Sequence, residues 1–217
     1  MKYDAVLFDY DGTVADSIAD IAYAANRALR LKGLPEHGEA AFRSFAGVGA
    51  RVLLQRAAPA GTDDKTLDAL YSEYVSYYAA HANDRTQPYP GVLDMLSRMK
   101  EAGLKLAVIS NKPDAAMQPG VQRFFASWLT LAVGEKPGVR RKPWPDMLEA
   151  AAAEMGVSLS RCLYVGDTEV DLETARNTGI DCAAVTWGFR TGEQLRAAGA
   201  ALLFDTPEAL TDFVLEI

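Results

Sequence analysis

The chain has 217 residues, of which 49% are hydrophobic and 24% charged, a balance that excludes a disordered polymer and leaves room for one sizeable domain plus a smaller insert. A formal charge of -7 argues against a nucleic-acid partner, because such proteins concentrate Lys and Arg. No apolar run has membrane-spanning length, and the short, acid-bounded start Met1-Lys2-Tyr3-Asp4 does not read as a secretory signal, so the expectation is a cytoplasmic protein without a membrane partner.

The first element is Ala5-Val6-Leu7-Phe8, an apolar run of strand formers that stops at Asp9-Tyr10-Asp11-Gly12-Thr13. It reads as a buried strand delivering carboxylates to a loop at its carboxyl end, where function sits in open α/β sheets. Asp9 and Asp11, two apart, can address one small volume. Two carboxylates that close repel, so a divalent cation, a shared proton or both must offset the repulsion. Thr13 can bond backbone or ligand.

From residue 16 to 32, Ile18, Ile21, Ala22, Ala25, Ala28, Leu29 and Leu31 recur at helical spacing, and Gly33 with Pro35 ends the run. Residues 36–83 continue as helix without a convincing strand. Among them Tyr71, Tyr74, Tyr77 and Tyr78 read as packing between helices rather than a stacking platform for bases. The turn-rich Gln87-Pro88-Tyr89-Pro90-Gly91 opens a helix through Met99. Strands and helices then alternate: strands at 104–109, 128–133, 162–165 and 182–185, and helices at 115–125, 146–155, 172–177 and 191–198. Leu202-Leu203-Phe204 and residues 207–215 close the chain. Alternation implies a parallel sheet with right-handed crossovers, a Rossmann-like α/β core. That core comprises residues 1–14 and 86–217, with an all-helical cap inserted at 15–85.

Three further strand ends carry polar groups. Ser110-Asn111-Lys112-Pro113 offers a hydroxyl and backbone N–H groups at a helix start, an anion site or simply a cap. Arg140-Arg141-Lys142-Pro143-Trp144-Pro145 reads as a surface charge run or as a stiffened backbone presenting one ammonium, Lys142, with Lys136 as a rival. Gly166-Asp167-Thr168-Glu169-Val170-Asp171 follows an apolar strand, with Asp171 one helical turn after Asp167. Hard oxygen ligands without histidine fit magnesium, whereas Glu169 and Glu173 read as solvated helix acids. His37 and His81 lie near no other soft ligand, and Cys162 and Cys182 read as small buried hydrophobes, so neither zinc nor a disulfide is expected.

In this order, Asp9-x-Asp11-Gly12-Thr13, Ser110-Asn111, Lys142-Pro143-x-Pro145 and Gly166-Asp167-x-x-x-Asp171 resemble the four signatures of the haloacid dehalogenase superfamily along nearly the whole chain. Asp16-Ser17 and Trp187-Gly188-Phe189 most resemble its phosphoglycolate phosphatase branch. The resemblance implies a magnesium-dependent phosphatase of small phosphorylated metabolites, monomeric or homodimeric, with an aspartyl-phosphate intermediate. It makes Asp9 the nucleophile and Asp11 the general acid/base, with Asp9, Asp167 and the Asp11 carbonyl as metal ligands. Ser110, Asn111 and Lys142 would hold phosphoryl oxygens, and Asp171 would support the metal's waters or Lys142. In the inserted helices, Arg43, Gly47, Gly49 and Arg51 form a candidate specificity loop, or a plain helix connection with solvated arginines. A β-phosphoglucomutase-like mutase shares all four motifs, and a phospho-receiver module or non-catalytic regulator is the reading from another class. A dehalogenase is disfavoured by the acid at Asp11.

Overall fold

The computed structural model of the chain describes residues 2–217. Strand β1 (Ala5–Phe8) leads into a two-residue strand β2 (Ala15–Asp16), and four helices follow: α1 (Ile18–Leu31), α2 (Glu39–Phe45), α3 (Ala50–Ala57) and α4 (Asp64–His81). Then come β3 (Gln87–Pro88), α5 (Val92–Glu101), β4 (Lys105–Pro113), α6 (Asp114–Phe124), β5 (Leu131–Glu135), α7 (Asp146–Met155) and β6 (Cys162–Gly166). The chain closes with α8 (Glu169–Thr178), β7 (Asp181–Val185), α9 (Gly192–Ala197), β8 (Leu202–Phe204) and α10 (Pro207–Leu215).

Six strands form one parallel sheet in the order β5-β4-β1-β6-β7-β8, as the alternation predicts. Every residue of β1 is buried, which is why its sequence is continuously apolar rather than alternating. Val6 and Phe8 face one side, against Met95, Leu96 and Met99 of α5 and Leu210 and Val214 of α10. Ala5 and Leu7 face the other, against Met147, Leu148, Ala151 and Ala152 of α7. Fully burying side chains of the Leu, Met or Phe type contributes about 1.5–3 kcal/mol each, so these two layers hold the strand carrying Asp9 rigidly. Phe8 pairs with Val108 and with Val165, so the residues that follow in β1, β4 and β6 emerge side by side at one end of the sheet.

Helices α1–α4 build a separate apolar cluster around Ile18, Leu29, Phe42, Leu54, Leu70 and Tyr74. Where the chain leaves for these helices and returns, β2 and β3 pair antiparallel, Ala15 with Pro88 and Asp16 with Gln87. The sequence shows only a turn there. Asp20 on α1, 3% exposed, accepts from the N–H groups of Arg85 and Thr86 at 3.0 and 2.9 Å and from the Thr86 hydroxyl at 2.8 Å. Those bonds satisfy backbone donors that would otherwise be orphaned at the crossing.

Some boundaries differ from expectation. The 104–109 strand runs on to Pro113 through a register shift against β5, so Ser110, Asn111 and Lys112 sit in an extended strand and the next helix starts only at Asp114. The strand expected at 128–133 lies at Leu131–Glu135. The helix expected from Pro90 starts at Val92, because Gly91 turns the chain at φ 83. Cys162 and Cys182 are free thiols.

Candidate active site

Asp9 follows β1 directly, and its two oxygens have different surroundings. Oδ1 accepts the Tyr10 N–H at 2.7 Å and faces the Lys142 ammonium at 2.9 Å. Oδ2 has no protein donor among the described residues. The Lys142 Nζ also donates to Asp171 Oδ1 at 2.9 Å and to the Tyr164 hydroxyl at 2.8 Å, so its three N–H groups all have protein acceptors. Asn111, expected at the phosphate, is used differently: its amide donates to the Lys142 carbonyl at 3.0 Å and accepts the Lys142 N–H at 2.9 Å. It locks the lysine's backbone rather than offering its own side chain.

Asp167 leaves β6 fully buried, accepting the Thr13 hydroxyl at 2.9 Å and the Phe189 N–H at 2.7 Å. Backbone closeness shapes this acid's cage. Gly12 has φ +87, and a Cβ there would lie 2.3 Å from Asp167 Oδ2, while a Cβ on Gly188 would lie 2.3 Å from the Gly12 carbonyl oxygen. Asp171, from the first turn of α8, accepts from the Thr168 N–H at 3.0 Å and the Thr168 hydroxyl at 2.8 Å, closing a capping box.

One carboxylate oxygen from each of Asp9, Asp167 and Asp171 lies within 4.8 Å of the others. The electrostatics follow. Burial pushes the Asp9 carboxyl up to about 7, with the Asp171 charge adding and Lys142 opposing. Burial also drives Asp167 well above the carboxylate range, helped by Asp171 and Asp9 and resisted by the Phe189 N–H and the Thr13 hydroxyl. Burial opposes ionisation of Asp171 too, but Lys142, Thr168 and Tyr164 outweigh it and hold the group below its usual value. Burial pulls Lys142 down, yet Asp171 and Asp9 outweigh it and keep the lysine charged. Three buried acids therefore face a single neutralising ammonium. The excess negative charge and the all-oxygen donor set fit a hard divalent cation such as magnesium.

Asp11 lies beside this cluster. Its Oδ1 accepts the Ser17 hydroxyl at 2.6 Å and the Lys112 ammonium at 3.0 Å, leaving Oδ2 without a protein partner among the described residues. A cleft of ≈ 60 Å³ opens over Asp9, Asp11 and Ser110, with Gly47, Gly49 and Phe189 among its walls. The expected loop glycines are therefore at the cleft, whereas neither expected arginine lines it. Arg43 donates to the Gly188 carbonyl at 3.0 Å, and Arg51 pairs with Asp68 on the exposed side of the helices. Arg51 is thus a solvated surface arginine.

Glu169 also departs from expectation: it is not a free helix acid but receives two bonds, 2.7 and 2.9 Å, from Arg190. Arg190 donates in addition to the carbonyls of Arg43 and Ala46, tying the loop after α2 to the β7–α9 connection. Sequence reasoning missed Arg190, Lys112 and Tyr78. Lys112 did carry a signal, a lysine placed directly after Ser110-Asn111 at a buried strand end.

Buried carboxylates and a buried lysine gathered beyond the carboxyl edge of a parallel sheet make a site suited to a hard cation and an anionic group. The chain belongs to the haloacid dehalogenase-like hydrolase family, whose sequence model matches residues 6–185. It is 33% identical over 214 residues to a phosphoglycolate phosphatase of Pseudomonas putida, covering 94% of this chain and 77% of that protein. It is 32% identical to an N-acetylmuramic acid 6-phosphate phosphatase of Pseudomonas aeruginosa, covering 98% of this chain and 95% of the relative. Among solved structures, a Lactobacillus delbrueckii subsp. bulgaricus protein proposed to be a phosphoglycolate phosphatase superposes with TM-score 0.93 at 35% identity, covering 99% of each chain. The protein is a phosphatase of this family. No helix among the described residues is long and apolar enough to cross a membrane.

Proposed function

We propose that the protein is a magnesium-dependent phosphomonoesterase that acts through an aspartyl-phosphate on Asp9, with 2-phosphoglycolate as its substrate. The observation that carries the reading is the asymmetry of Asp9. One oxygen is anchored by Lys142 and the Tyr10 N–H, and the other is free beside the cleft that Asp11 and Ser110 share. That is the arrangement a carboxylate nucleophile needs.

Asp9 Oδ2 attacks phosphorus, and the bond from phosphorus to the ester oxygen breaks. A proton on Asp11 Oδ2 passes to the departing alkoxide, and the same oxygen then takes a proton from the water that cleaves the acyl phosphate. The Ser110 hydroxyl, whose oxygen accepts the Lys112 N–H at 3.2 Å, has its proton free for a phosphoryl oxygen. Lys142 holds Asp9 and reduces repulsion between the anionic carboxylate and the anionic phosphate. Asp9, Asp167 and the Asp11 carbonyl, with Asp171 behind them, would hold magnesium, which would supply the remaining charge neutralisation at phosphorus. Helices α1–α4, over residues 15–85, act as the cap that excludes water from the cleft.

Relatives named phosphoglycolate phosphatase, at 33% and 35% identity, support the choice of 2-phosphoglycolate over a sugar phosphate. Phosphate release is measured from 2-phosphoglycolate, N-acetylmuramic acid 6-phosphate, hexose phosphates and p-nitrophenyl phosphate, with magnesium or chelator and with Asp9→Ala as the blank. The expected result is magnesium-dependent release with the highest kcat/KM on 2-phosphoglycolate. A higher value on N-acetylmuramic acid 6-phosphate overturns the substrate, and sugar-phosphate isomerisation without release replaces the hydrolase by a mutase.

A further inference from the structure

We propose that Lys112 is a positioning residue for Asp11, and that Tyr78 on α4 makes the orientation of that carboxylate depend on the helical segment above the cleft. The Lys112 side chain is 1% exposed, and a buried ammonium is costly unless its hydrogens find acceptors. Here they find them in parts of the chain far apart in sequence. Nζ donates to Asp11 Oδ1 at 3.0 Å, across 101 residues, and to the Tyr78 hydroxyl at 2.6 Å, across 34. The same ammonium lies 5.1 Å from the Tyr10 ring centre and 4.7 Å from that of Tyr78, where the ring faces attract it. Tyr78 is itself fixed by stacking on Tyr74 at 5.0 Å.

The consequence for Asp11 is geometric. Ser17 and Lys112 both bond Oδ1, so the carboxylate plane cannot tilt away from this orientation without breaking both bonds. Oδ2, which has no hydrogen-bond partner among the described residues, is the oxygen left for the cleft that Asp11 and Lys112 line together. Lys112 is also the only cationic residue lining that cleft among the described residues. Ser17 sits just before α1 and Tyr78 lies in α4, so both restraints on Asp11 come in part from the helical segment.

This inference rests on Asp11 as the proton donor, and its test exploits what a donor is for. Departure of an alkoxide needs a proton, whereas p-nitrophenolate leaves well without one, and kcat/KM reports events up to that departure. The full chain with magnesium is assayed on 2-phosphoglycolate, 2-hydroxyethyl phosphate and p-nitrophenyl phosphate. For Lys112→Met the expected loss in kcat/KM is about 30- to 100-fold on both alkyl esters and about 3-fold on the aryl ester, the scale of a misplaced catalytic group. Tyr78→Phe keeps the ring and removes only the hydroxyl, and its expected loss is about 3- to 10-fold on the alkyl esters alone. Should Lys112→Met fail to fold by circular dichroism, Tyr78→Phe decides the outcome.

Equal losses on all three substrates reduce Lys112 to a structural residue and overturn the proposal. Loss confined to 2-phosphoglycolate also overturns it, by making the ammonium a reader of the substrate's carboxylate. Asp11→Asn separates the layers. If that variant shows no leaving-group dependence, the donor reading fails and this inference with it. If it does and the other two variants do not, this inference alone fails.

Discussion

Replacing Lys142 by Met tests the electrostatic core of the site, because the methionine keeps the length of the stem and removes the ammonium, with its charge and its three donors. The wild-type ammonium bonds Asp9, Asp171 and Tyr164 at 2.9, 2.9 and 2.8 Å, with the Lys142 and Asp171 side chains each 1% exposed. Removing one partner of such a pair strands a buried carboxylate and costs about 3–5 kcal/mol. At roughly 2–4 °C per kcal/mol for a chain of this size, the melting temperature drops by about 10 °C. The loss has a pH signature. With Lys142 present, Asp171 titrates below its unfolded value, so it adds stability above about pH 4. Without Lys142, burial acts on Asp171 against only the Thr168 and Tyr164 hydrogen bonds and its pKa rises, so the difference between the two proteins grows as pH rises from about 4. Urea unfolding followed by tryptophan fluorescence, in chelator at pH 5 and pH 8, measures both features. Adding Asp171→Asn to Lys142→Met removes the stranded charge and restores about 2 kcal/mol. A loss below about 1 kcal/mol, or one independent of pH, refutes the claim that this lysine is the neutralising charge.

Asp20→Ala leaves the buried Thr86 N–H and its neighbour at Arg85 without their acceptor, and the expected destabilisation is about 3 kcal/mol by urea unfolding. A value within 0.5 kcal/mol of wild type, as for an ordinary surface site, refutes it. In chelator the wild-type protein loses stability as pH rises from about 4 to 7. Asp9 and Asp167 are raised above their unfolded values, so they favour the fold when protonated and oppose it once ionised. The urea midpoint falls across that window and Asp9→Asn flattens the fall; an unchanged slope in the variant contradicts the assignment.

Much of the fold is legible in the sequence itself. Continuous apolar runs ending in acids marked β1 and β6, because a strand buried on both faces has no polar alternation and its first polar residue marks where it leaves the sheet. Helical periodicity likewise placed α1 and α7 to within a few residues. Asp9, Asp11 and Asp167 could be placed together because each comes just after a strand and a parallel sheet brings those ends together, whereas Ser110 lies inside β4, Lys142 in the loop before α7 and Asp171 in the first turn of α8.

Other features depended on which side chains meet across the fold. The strand through Ser110 continues to Pro113 because β5 lies alongside to pair with it, a partner no local pattern names. Asn111 has the composition of an anion ligand, yet its amide matches the backbone of Lys142, 31 residues away. Arg43, Arg51 and Glu169 carry charges that any reading of the sequence leaves in solvent or in the site. The packing of helices decided that Arg51 takes Asp68 and that Glu169 takes Arg190. Lys112 is the clearest case: its place directly after Ser110-Asn111 is visible in the sequence, but its partners are not, because only the fold puts Tyr78 of α4 over it and Asp11, in the turn after β1, beside it. Periodicity reports which face of an element is buried, since that depends on local geometry. The partner of a buried charge is set by tertiary packing, which brings together residues distant in the chain.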